Sequence, residues 1–88
     1  LFRSVISRSV RIDAPEGDIA PPLGALQAAH PGVQMGSYPF FEKNRLGTHV
    51  VIRAADEASL DSALSALWTV IAEEGFEAAP TDDEPGAS

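Results

Sequence analysis

Cysteine is absent from these 88 residues, so neither a disulfide framework nor a thiolate metal site can form. That fits a reducing compartment, and the cytoplasm is the expected location. No apolar run approaches the ~20 residues of a membrane span. No signal peptide is expected, because residues 1–12 mix Arg and Ser into the apolar positions. Bases are few and stop early. All six (Arg3, Arg8, Arg11, Lys43, Arg45, Arg53) precede residue 54, where four acids oppose them; the remainder holds nine acids and no base. The net charge of −7 repels a phosphate backbone, which counts against nucleic acid as a partner. The chain opens on Leu1 without a Met, which suggests a fragment or a processed product.

What is present reads as one small α+β domain over residues 1–76, followed by a disordered acidic tail over 77–88. Residues 4–12 alternate as a strand, with Ile6, Val10 and Ile12 on one face and Arg8 interrupting that face at a sheet edge. Pro15 and Gly17 mark a turn. A helix is then expected to start near Ile19 to Pro22, with Asp18 as cap or first-turn acid and Ile19, Leu23 and Leu26 on one side. Pro31 ends it near His30.

Val33 and Met35 begin a second strand that Pro39 confines to an edge. Glu42 to Gly47 reads as a connecting loop, and Thr48 to Ala54 as a third strand with Val50 and Ile52 inward. Asp56 caps a second helix, whose Leu60, Leu64, Leu67, Trp68 and Ile71 give the strongest periodic signal. Gly75 stops that helix and Phe76 folds back onto it. The expected architecture is therefore a two-layer β-α-β-β-α sandwich. Three mainly antiparallel strands carry two helices on one face, and the other face is expected to be partly open or covered by another part of a larger protein.

Catalytic chemistry is hard to find. His30 and His49 fall on different elements with no carboxylate at metal-ligand spacing. No serine sits in a nucleophile elbow, and no glycine pattern matches a phosphate loop. Paired acids such as Glu73-Glu74 or Asp82-Asp83 fall on a helix surface or a tail, the solvated setting in which such pairs carry no chemistry. No catalytic residue, cofactor or metal is therefore assigned. The β-α-β-β-α order suggests a KH-like fold, but KH domains clamp nucleic acid with a GXXG loop, and residues 21–24 (Pro-Pro-Leu-Gly) do not supply one.

Three of the five Phe and Tyr residues cluster in Gly36-Ser37-Tyr38-Pro39-Phe40-Phe41. That run precedes Gly47-Thr48 and follows Ser7-Arg8-Ser9-Val10-Arg11, Glu16-Gly17-Asp18-Ile19-Ala20, Pro22-Leu23, Leu26-Gln27-Ala28 and His30-Pro31. In this order the pieces resemble the competence/damage-inducible protein A group, also described as molybdopterin-binding-domain proteins. Relatives of that group include the amino-terminal region of eukaryotic FAD synthases.

The resemblance implies a KH-like accessory domain that follows a molybdopterin-binding-like domain. That preceding domain would be the partner, with a homodimer as a second arrangement. Any nucleotide pyrophosphatase or related activity would belong to the rest of such a protein. The leading expectation is a non-catalytic interaction domain, with Tyr38, Pro39, Phe40, Phe41, Arg45 and Arg53 as interface candidates. Two alternatives remain. One is a nucleotide- or pterin-phosphate-binding domain, in which Arg8, Arg45 and Arg53 clamp phosphate and Tyr38 stacks; the other is a single-stranded nucleic-acid binder.

Overall fold

The computed structural model describes residues 5–81. Element order is β1 (Ile6–Ile12), α1 (Glu16–Ala29), β2 (Gln34–Glu42), β3 (Arg45–Ala54), α2 (Glu57–Glu74) and β4 (Ala78–Thr81). The strands form one antiparallel sheet in the order β2-β3-β1-β4. This is α+β, with two helices as expected but four strands instead of three. The extra strand completes the β-α-β-β-α-β arrangement of the ferredoxin-like motif and replaces the KH-like expectation.

β4 lies inside the stretch expected to be a disordered tail. Its composition alone gives little strand propensity. Order comes from pairing, since Ser9 to Ile12 of β1 face Thr81 to Ala78, and the Asp13 N–H donates to the Glu77 carbonyl at 2.8 Å. Residues 82–88 of that predicted tail lie outside the described residues.

Both helices pack on one face. Val10, Ile12, Val50, Ile52 and Ala54 from the sheet form a single core with Ile19, Leu23, Leu26, Leu60, Ala63, Leu67 and Ile71. Met35 and Leu64, expected in the core, are only partly buried against it.

α2 ends as its sequence dictates. The Asp56 carboxylate accepts the Ser59 N–H at 2.8 Å, and Gly75 adopts the left-handed conformation at φ 76°. The Phe76 N–H reaches the Ile71 carbonyl and the Gly75 N–H that of Ala72, which is the Schellman pattern. α1 starts earlier than expected, at Glu16 with Pro15 as cap, so Pro21 and Pro22 lie inside the helix. Their missing N–H groups would have bonded the carbonyls of Gly17 and Asp18, which are exposed residues that water can serve.

The expected loop from Glu42 to Gly47 is instead continuous strand around a two-residue turn. Glu42 pairs with Arg45, and Lys43 and Asn44 both have positive φ, at 51° and 62°. Positive φ at both positions defines a type I′ turn, whose twist suits a hairpin.

The two sheet edges are blunted in the same way. The Met35 N–H donates to Gln27 Oε1 at 2.9 Å rather than to β3, so odd-numbered residues of β2 turn their backbone outward. Pro39 is one of these and removes a donor from that edge. On β4, the Asp13–Glu77 bond sets the ladder phase and leaves the Pro80 nitrogen facing out. A proline at an outward position deters another strand from adding to the edge.

Candidate functional site

The face of the sheet away from the helices has no covering element among the described residues. By alternation it carries Ser7, Ser9 and Arg11 from β1, Gln34, Gly36, Tyr38, Phe40 and Glu42 from β2, Arg45, Gly47, His49, Val51 and Arg53 from β3, and Ala79 and Thr81 from β4. Val51 is 0% exposed there, although no helix covers it. The face is therefore paved by its own side chains.

Two glycines make the paving possible. Tyr38 leans back over Gly36, where a β-carbon would stand 3.2 Å from the ring. Phe40 lies across Gly47, its directly paired residue, and a β-carbon at 47 would overlap the ring. The Arg11 guanidinium carbon sits 4.1 Å from the Phe40 ring centroid, a cation–π distance. The Phe40 and His49 rings stand 4.9 Å apart at 55°. Arg11 also donates to Glu42 Oε1 at 2.7 Å, so the order across the surface is Glu42, Arg11, Phe40, His49.

The charges follow from this geometry. The hydrogen bond from Arg11 holds the Glu42 carboxyl below its ordinary pKa, and the same bond raises Arg11. Burial of the His49 ring, then the neighbouring Arg11 charge, push its pKa down, with Glu42 opposing. His49 Nδ1 is buried without a hydrogen-bond partner.

The interface candidates divide between two faces. Tyr38, 39% exposed, and Phe40 lie on the open face with Arg45 and Arg53. Pro39 and Phe41 point to the other side. Phe41 is directly opposite Leu46, and the two are 65% and 57% exposed. They form an apolar ridge near the hairpin tip, on the helix side of the sheet. Arg45 pairs with Asp13 at 3.3 Å.

The suggested phosphate clamp is not assembled. Arg45 and Arg53 stand at opposite ends of β3, about 27 Å apart at strand rise. Arg8 belongs to the helix side, exposed one residue beyond the last that β4 pairs, and donates to its neighbour's carbonyl, Ser7 O, at 2.8 Å. Base stacking is restricted too, because Arg11 occupies a face of Phe40 and leaves Tyr38 as the available open-face ring. Among the described residues no group of three His, Asp or Glu could hold a metal ion. The apolar gap between α1 and α2, lined by Leu23, Leu26, Leu67 and Phe76 among others, is about 10 Å³, roughly one water. No helix among the described residues is long and apolar enough to cross a membrane.

Arg11, Glu42 and His49 escaped the sequence reading. Their partners are set by register, and the two-residue turn that sets it has Lys43 where the common signal would be Asn or Asp followed by Gly.

The fold and surface define a ferredoxin-like α+β domain whose open sheet face is paved by its own side chains. A sequence model described as FAD synthase, middle domain, matches residues 4–79, and the chain belongs to that family. This corrects the assignment to the competence/damage-inducible protein A and molybdopterin-binding-domain group. The run that carried the assignment answers to the sheet: Gly36 makes room for Tyr38, Ser37 donates to Glu16 at 2.8 Å, and Pro39 blunts an edge. Such roles say nothing of a pterin pocket. No curated protein matches the chain. Among solved structures, a de novo designed protein, Foldit4, is similar with a TM-score of 0.55 at 14% identity, covering 91% of this chain and 97% of that one. At that identity the likeness concerns the fold alone.

Proposed function

We propose that this chain is a non-catalytic interaction domain that docks against an adjacent domain of an FAD synthase-type protein. The observation that carries the reading is the Phe41–Leu46 pair, two large apolar side chains exposed side by side near the hairpin tip. The open face with Tyr38, Phe40 and Arg11 continues the contact around the same hairpin, and aromatic residues and Arg are the types enriched at interface cores. Blunted edges favour docking through side chains over strand addition. The family description as a middle domain supports a place among flanking domains.

The separation of Arg8, Arg45 and Arg53 weighs against nucleotide binding, and the covered Phe40 weighs against single-stranded nucleic acid. The test is turnover. The chain incubated with FMN, ADP-ribose or nicotinamide mononucleotide, with and without Mg²⁺, should leave each unchanged. Metal-dependent turnover of any of them would overturn the reading.

A further inference from the structure

We propose that His49 is an acid-responsive latch for the open sheet face: its neutral ring props Phe40 beneath Arg11, and its protonation releases both. The functional consequence rests on reading this face as part of the docking surface, since the released groups are the ones a partner would meet.

The geometry supplies the mechanism. His49 is cross-strand partner to Arg11 on one side and Tyr38 on the other. Its ring contacts Phe40 at 4.9 Å, and Phe40 carries the Arg11 guanidinium at 4.1 Å. A neutral imidazole fits here as a tilted aromatic neighbour. Once protonated, both ring nitrogens are donors. Nδ1 is buried with no acceptor, so its proton is left unpaired. The added charge also lies beside a second cation.

The groups facing His49 can be named strand by strand. β1 presents Arg11, which opposes protonation, and β2 presents Glu42, which favours it, while Tyr38 leans away over Gly36; on β3 the same-face neighbours Gly47 and Val51 are uncharged, and β4, one strand further off, carries the uncharged Ala79 and Thr81. Glu42 is already engaged by Arg11 at 2.7 Å. Protonation of His49 therefore sets a second positive charge against the Phe40 ring that already carries the Arg11 guanidinium, and the repulsion loosens the contact that holds Arg11 across Phe40. The lowered pKa of His49, caused first by burial and then by the Arg11 charge, agrees with this position.

The test is NMR of the 88-residue chain titrated from pH 8 to 5. The His49 imidazole signals should titrate with a midpoint below the ordinary 6.5. Phe40 ring and Arg11 Nε–H signals should shift with that same midpoint. His49→Gln should hold them flat across the range. Glu42→Gln, an independent check should His49→Gln fold poorly, should move the His49 midpoint lower still. Phe40 and Arg11 signals that stay still while His49 titrates, or that keep their transition in His49→Gln, would overturn the latch. The titration needs no partner, so it is independent of docking. Loss of docking with the co-titration intact would refute the docking reading and leave the latch standing.

Discussion

Phe40 lies so close across Gly47 that a β-carbon on residue 47 would occupy the space of its ring. The pair is also a register pair, so the strand alignment and the ring's resting place are one constraint. Gly47→Ala should therefore displace Phe40, pull it from Arg11 and His49, and destabilise the fold by about 1–3 kcal/mol, the usual cost of overpacking. Urea denaturation with ring-proton shifts of Phe40 checks both effects together. A stable variant with an unmoved ring would show that the glycine is dispensable.

Gln27 is a bracket between α1 and the outer edge of β2. Its amide donates to the Val33 carbonyl at 2.7 Å and accepts the Met35 N–H at 2.9 Å. Gln27→Ala leaves two partly buried backbone groups without partners and should cost about 1–3 kcal/mol. Gln27→Glu keeps an acceptor for Met35 but near neutral pH sets a carboxylate oxygen against the Val33 and His30 carbonyls, so it should destabilise as well. Equal stability of all three proteins would remove the bracket from the account.

The core gives a graded prediction. Leu67 is buried and Leu64 only half-buried. Leu67→Ala should cost about 2–5 kcal/mol, the range for buried truncations. Leu64→Ala, for which the helical pattern alone suggests the same range, should cost less. Denaturant midpoints of the two variants decide the order.

Acid should weaken the fold in two stages. His49 has a folded pKa below its ordinary 6.5, so the unfolded chain takes up a proton first as pH falls. Its contribution is complete above 6.5 and declines below it. Glu42, bonded to Arg11, and Asp56, bonded to Ser59, are also lowered, from 4.5 and 3.8. Their contributions are present above those values and disappear as pH falls through the lowered folded values. The urea midpoint should thus fall between pH 7.5 and 5.5, then fall again below 4.5. His49→Gln should erase the first step alone. A midpoint that rises over that first interval would contradict the placement of His49.

Much of this fold is written locally. Asp56, the leucine spacing, Gly75 and Phe76 define α2 without reference to anything distant. Pro39 announces its edge position because a missing N–H is a local fact. What was not legible depends on long-range pairing. β4 is Ala-Ala-Pro-Thr, with little intrinsic preference, and exists because β1 offers an open edge. α1 starts before the point its prolines suggest, because Pro21 and Pro22 within its early turns mimic a boundary. Of the candidate surface, Tyr38 to Phe41 stood out by composition, whereas Arg11 reaches Glu42 across 31 residues of sequence. Only the correct hairpin turn brings that pair and His49 together.

The most direct measurement is hydroxyl-radical footprinting of Phe41, Leu46 and Tyr38 at pH 7.5, in the isolated chain and in the longer FAD synthase-type protein that the docking proposal places it in. Docking through this hairpin predicts that oxidation of Phe41 and Leu46 drops several-fold in the larger protein, while exposed side chains on the outer surface of α2 keep their rates. Unchanged oxidation at the hairpin, or protection confined to the helices, would contradict it.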